Sequence, residues 1–168
     1  MCIRDRIKAV TPVAEEEGIR LGIHPDDPPV DNLGGVPRIM TSFDAFKRLI
    51  EIYPSDSNAI EFCQGTFSEM DEDIYEIIEY FASRNKILFV HFRNVSAPNP
   101  NEFNEEFINT GYVDMVKAIK IYKDAGYEAA LWMIIVQIYT TTRNFLETLV
   151  DTDLEYSLKA TYKDYWIH

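Results

Sequence analysis

Three short apolar runs, Ile19 to Ile23, Ala59 to Phe62 and Ile87 to Val90, alternate with stretches of helical spacing, and this rhythm limits the folds open to the chain. Strands that alternate with helices form parallel sheets, because parallel neighbours need a crossover long enough to hold a helix. In a parallel sheet all the carboxyl ends lie along one edge. Each of the three runs is followed at once by a residue with metal-binding chemistry: His24, Cys63 and His91. They stand 39 and 28 residues apart in the chain (63 minus 24, 91 minus 63), yet the sheet would bring them to the same edge.

The intervening stretches support that alternation. Lys8 to Glu17 reads as the end of a helix, closed by Gly18. From His24 to Pro37 the sequence is rich in turns. Thr41 or Ser42 then caps a helix with Phe43, Phe46, Leu49 and Ile50 on one face. The next helix is expected near Asp71, with Ile74, Ile77, Ile78 and Phe81 as its buried stripe. Its acidic run, Glu69 to Glu79, reads as a solvated face. Ile87 to Val90 is apolar throughout, as in a strand covered on both faces. A further helix carries Val113, Val116, Ile119 and Tyr122 and closes at Gly126. Ala129 to Ile138 has the composition of another strand.

Composition narrows the function classes. The 168 residues carry a net charge of -12, which disfavours nucleic acid and anionic membrane surfaces as partners. No apolar run approaches the ~20 residues of a membrane span, and Met1 to Arg6 lacks the apolar core of a secretory signal. Two cysteines, Cys2 and Cys63, make no disulfide framework and fit a reducing cytoplasm.

Alone, each of His24, Cys63 and His91 has an ordinary explanation: a buried thiol is commonly a small hydrophobe, and a histidine after a strand is commonly a satisfied core residue. Their coincidence at equivalent positions is what points to a metal. Imidazole and thiolate suit Zn²⁺, Fe²⁺, Mn²⁺ and similar divalent ions.

Longer strings surround these residues. His24-Pro25-Asp26-Asp27-Pro28-Pro29 is followed by Gly34-Gly35-Val36-Pro37-Arg38-Ile39, then by Phe62-Cys63-Gln64-Gly65-Thr66 and Val90-His91-Phe92-Arg93. In order and spacing these blocks resemble the mannonate dehydratase family, over about Ile7 to Glu128. The resemblance implies an α/β fold, a partial TIM (β/α)₈ barrel of parallel strands alternating with helices. It also implies Mn²⁺ or Fe²⁺ held by His24, Cys63 and His91, with an Asp on the following strand as a further ligand. The implied reaction is a hydro-lyase step, dehydration of D-mannonate to 2-dehydro-3-deoxy-D-gluconate in hexuronate breakdown. A homo-oligomeric parent protein stays open.

Such a reaction removes the proton beside a carboxylate and expels a neighbouring hydroxyl, and a divalent ion stabilises the charge that develops. Arg38 and Arg93 are candidate clamps for the substrate carboxylate, because guanidinium binds carboxylate bidentately; surface or supporting ion pairs are the competing role. Asp26 and Asp27 either orient ligands or stabilise their turn. Ser68 is a candidate substrate contact or a helix cap. Two other readings stay open: another divalent-metal sugar isomerase or hydrolase on the same fold, and a non-catalytic partial barrel.

The chain departs from the family pattern where the Asp-His pair belongs. Ile134 and Ile135 stand there, and neither binds a metal or moves a proton, so the catalytic residues are unassigned. Shifted by one base, the codons of Trp132-Met133-Ile134 must read Asp-Asp, and Ile134-Ile135 then allows His. The expectation is a frameshift between about Gly126 and Leu131. Residues 7–131 are then the barrel region and 132–168 a divergent, frameshifted tail, while 1–6 are a non-native start. On this reading the chain is an incomplete, inactive fragment.

Overall fold

The computed structural model describes residues 2–127 together with 131–132. A parallel sheet forms its centre. Helix α1 (Ile3–Glu16) leads into β1 (Leu21–Ile23), and a small hairpin of β2 (Asn32–Leu33) and β3 (Val36–Pro37) follows. Next come α2 (Phe43–Ile52), β4 (Asn58–Cys63), the short α3 (Gln64–Ser68), α4 (Ile74–Ala82) and β5 (Ile87–His91). After a second small hairpin, β6 (Asn94–Val95) with β7 (Glu105–Glu106), the described elements end with α5 (Met115–Asp124) and β8 (Leu131–Trp132). The strands of the main sheet run β1-β4-β5-β8, and every neighbouring pair is parallel.

Local chemistry accounts for these elements. The Ser42 side chain accepts from Ala45 N at the start of α2, and Asp114 does the same for Lys117 N in α5. Helix α4 starts later than expected. Asp73, not Asp71, is its cap, accepting from Tyr75 N and Glu76 N, while Asp71 sits at φ 57° in the turn before it. The stripe Ile74, Ile77, Ile78 and Phe81 is fully buried, as its spacing predicts. Lys8 to Glu17 is the end of a helix, as expected, and α1 begins at Ile3: Ile7 is buried and Ile3 packs on the core, so the apolar face continues toward the start. Val113 is buried but lies before the cap of α5. Gly126 closes α5 at φ 81°.

The core lies between the sheet and α2, α4 and α5. Ile60, Phe62, Ile87 and Val90 point into it and are almost wholly buried. Phe62 stacks on Phe67 with ring centroids 4.3 Å apart, and Phe46 meets Phe67 at 4.8 Å. The strand β5 departs from expectation here: Leu88 and Phe89 are only half-buried, because helices cover just one face of the sheet among the described residues. Of the expected strand Ala129 to Ile138, Leu131–Trp132 pairs with Val90 and His91; Ile134, Ile135 and the tail lie outside the described residues.

One register shift governs the sheet's other face. Ile60 pairs with Ile87, but Glu61 pairs with Phe89, so Leu88 is an extra residue in β5. Paired residues share a face and alternate along a strand, so a one-residue slip moves a strand's side chains to the opposite face. After the shift, Cys63 pairs with His91 and both point away from the helices.

Gly65 is fixed by packing. A Cβ there would overlap the Cγ, Cδ and Nε of Arg93, whose side chain crosses directly over it. Gly65→Ala should therefore destabilise the protein by about 1–3 kcal/mol, read from urea unfolding. A change within ~0.5 kcal/mol would show that the arginine can move aside without cost.

Candidate metal centre

His24 follows β1 directly, Cys63 ends β4 and His91 ends β5, so three strand ends deliver the three side chains. One ligand atom from each lies within 4.8 Å of the others. Ligands sharing one ion through bonds of about 2.0–2.3 Å stand roughly 3.3–3.8 Å apart at tetrahedral angles, so small side-chain rotations close the gap. The rings of His24 and His91 are 5.4 Å apart. Cys63 is buried, and both histidines are half-buried.

The donor set is chemically prepared for a cation. The Nδ1–H of His24 donates to the Pro25 carbonyl at 2.6 Å, which leaves Nε2 as the nitrogen free to bond Cys63 or, once deprotonated, an ion. Hydrogen bonding with Cys63 holds the His24 pKa up at about 9, against the opposing effect of burial. Burial would push the Cys63 thiol up, but hydrogen bonds from His24 and His91, the Arg93 charge and Thr66 together bring it down to about 5. Near neutral pH the metal-free site is thus a thiolate facing an imidazolium. A thiolate is the form that binds metals.

Arg93 ties the surrounding loops together. Its Nη1 donates to Asp27 Oδ2 at 2.8 Å and Thr66 Oγ1 at 3.0 Å, and lies 3.3 Å from Cys63 Sγ. Nη2 pairs with Glu69 at 2.7 Å and Glu105 at 2.6 Å. The Thr66 hydroxyl is 3.1 Å from both Cys63 Sγ and Asp27 Oδ2, with one proton to give. With so many anions around one guanidinium, Glu69 is the group left neutral. It is fully buried, its Oε2 has no partner, and burial pushes it up to about 8 despite the pull of Arg93.

The candidate substrate contacts fall in different places. Arg93 is only 6% exposed and engaged by three carboxylates, so its guanidinium has a supporting role at Cys63. Arg38 pairs with Asp26 at 2.8 Å and keeps 27% of its side chain exposed. Asp26 also accepts from Ile39 N and Met40 N, which fastens the turn after β1 and, against the effect of burial, lowers its pKa. The Ser68 hydroxyl is buried and donates to the Gln64 carbonyl at 2.6 Å. Glu69 corrects the solvated reading of the acidic run; Glu76 and Glu79, on α4, are exposed as expected. Sequence reasoning also passed over Glu61, whose Oε1 is 3.1 Å from His91 Nε2. Its position two residues before Cys63 was the available signal, because residues two apart on a strand share a face.

The sequence model of D-mannonate dehydratase (UxuA) matches residues 4–149. The chain belongs to that family. Over 128 residues it is 37% identical to mannonate dehydratase 2 of Halalkalibacterium halodurans, covering 74% of this chain and 37% of that protein. The mannonate dehydratase of Streptococcus pneumoniae is 39% identical over 128 residues, again 74% of this chain and 34% of the relative. The chain therefore spans little more than a third of the length of these relatives. Among solved structures, mannonate dehydratase from Streptococcus suis serotype 2 superposes with a TM-score of 0.74 at 32% identity, over 95% of this chain and 49% of that one. The IOLI protein, solved with a binding zinc atom, shares the fold with a TM-score of 0.64 at 13% identity, over 91% of this chain and 55% of that one. The architecture is thus part of a (β/α)₈ barrel.

Two pH dependences follow from the geometry. Between neutral pH and about 9, a bound ion must displace the proton that His24 holds. The affinity for Mn²⁺, titrated under argon, should then rise roughly tenfold per pH unit across that window. A flat profile contradicts the thiolate–imidazolium pair.

Glu69 has a raised pKa in the fold, so its contribution to stability is complete below the unfolded value of 4.5 and is lost as pH rises through about 8. Glu69→Gln, a mimic of the neutral acid, should flatten that part of the stability–pH curve. An unchanged slope in thermal melts would place the loss elsewhere.

Proposed function

We propose that this chain supplies the metal-binding part of an enzyme that dehydrates D-mannonate to 2-dehydro-3-deoxy-D-gluconate, using Mn²⁺ or Fe²⁺. The observation that carries this reading is the convergence of His24, Cys63 and His91 from three strand ends to within 4.8 Å. When bound, a divalent ion supplies positive charge beside the substrate carboxylate as the neighbouring proton is lost. The chain's own residues set that ion's place: two imidazoles, each with one ring nitrogen held by an acceptor, and a thiolate kept charged by His24, His91 and Arg93. Of the candidate carboxylate contacts, the part-exposed Arg38 suits a substrate better than the enclosed Arg93. No helix among the described residues is long and apolar enough to cross a membrane. A free Cys63 thiolate suits a reducing cytoplasm.

Ile134 and Ile135 favour a second reading, a partial barrel that binds metal without turnover, since they supply neither ligand nor proton carrier. We propose instead that the native chain has Asp-Asp-His there and that one base is gained or lost between codons 126 and 131. Resequencing the DNA across codons 126–138 decides this; an unaltered frame favours the non-catalytic reading.

The activity is tested by grafting residues 7–127 in place of the matching segment of the Streptococcus suis enzyme. The chimera should turn over D-mannonate only with a divalent ion. Cys63→Ala within it should lower turnover at least ~100-fold, in line with losing a ligand that helps stabilise developing charge. A folded chimera whose turnover is indifferent to Cys63→Ala would remove the ligand assignment.

A further inference from the structure

Glu61 lies on the same face of β4 as Cys63, two residues before it, and pairs in register with Phe89 of β5. Its carboxylate is 3.1 Å from Nε2 of His91, and it is 24% exposed, so it is partly shielded from water. A carboxylate can only accept, so His91 donates through Nε2, which leaves Nδ1 as the nitrogen that can turn to Cys63 or, once deprotonated, to an ion. The ring is held from its other side as well: Phe89 meets it edge-on at 5.2 Å, and the His24 ring lies 5.4 Å away. The ligand atoms of His24, Cys63 and His91 gather within 4.8 Å of one another, and Glu61 stands outside that group.

We propose that Glu61 is a positioning residue of the metal centre, fixing the tautomer and ring orientation of His91 so that Nδ1 is the nitrogen offered to the ion. The role is the counterpart, on the third strand end, of the Pro25 carbonyl that accepts from Nδ1 of His24 and reserves its Nε2. The two histidines thus present opposite ring nitrogens, each selected by an acceptor behind it. Loss of such an outer partner typically weakens metal affinity by roughly 10–100-fold. The inference rests on the metal-centre reading above.

The test uses the whole chain with Mn²⁺ as the probe, its affinity measured by competition with a chelator. Glu61→Ala should weaken binding roughly 10–100-fold, while Glu61→Gln, whose amide oxygen can still accept from Nε2–H, should restore most of it. In a His91→Ala background, Glu61→Ala should have no further effect, which separates positioning from a general loss of structure. Long-range ¹H–¹⁵N spectra of the metal-free protein should show the neutral His91 ring protonated at Nε2 in the wild type and mixed in Glu61→Ala. Unchanged affinity in Glu61→Ala, alongside binding abolished by Cys63→Ala, overturns this inference and leaves the metal centre standing. If Glu61→Gln is as damaging as Glu61→Ala, the positioning role is overturned in favour of Glu61 as a ligand. A wild-type chain that binds no Mn²⁺ overturns both readings together.

Discussion

The pairing of Cys63 with His91 across β4 and β5 is the constraint on which the site depends. It exists because β5 carries one more residue than its partner at Leu88. With an unshifted register, Cys63 would share a row with Val90, whose side chain is wholly buried in the core. The extra residue turns His91 to the open face and leaves Ile87 and Val90 in the core. A single irregularity thus reconciles an apolar core on one side of the sheet with a polar site on the other.

Electrostatics does the rest. A thiolate in a buried setting needs compensation, and it receives it from His24, His91, Thr66 and Arg93. Arg93 is held charged against its own burial by Cys63, Asp27 and Glu105. Because one guanidinium serves several acidic groups, it also connects the turn after β1, the end of α3 and the hairpin strand β7. Truncating such a buried, shared cation would leave uncompensated charge, a far larger loss than a surface ion pair. The close passage of this side chain explains why a glycine follows Cys63-Gln64.

Much of this was legible in the sequence. Periodicity placed α2 and the buried stripe of α4, and the residues following apolar runs marked the three side chains that the sheet brings together. The resemblance carried by the His-Pro-Asp-Asp-Pro-Pro string supplied the family. What stayed hidden was set by tertiary structure. Glu69 sits in an acidic run that looks solvated, and only the approach of Arg93, 24 residues on, explains its burial. For Arg93 a substrate clamp and a supporting ion pair stay equally open in the sequence, because nothing local shows that Asp27, Glu69 and Glu105 converge on it. The register shift at Leu88 has no mark in a run of apolar residues, and although its spacing puts Glu61 on the face of Cys63, its contact with His91 emerges only once β4 and β5 are aligned.

The central claim is that His24, Cys63 and His91 bind one ion together. X-ray absorption at the manganese edge of the loaded chain tests it most directly, because sulfur scatters distinctly from nitrogen and oxygen. One sulfur neighbour with two imidazole rings in the same coordination sphere is the predicted result, the sulfur at a distance somewhat beyond the ~2.3 Å typical of zinc thiolate. A sphere of oxygen and nitrogen alone, without sulfur, would contradict it.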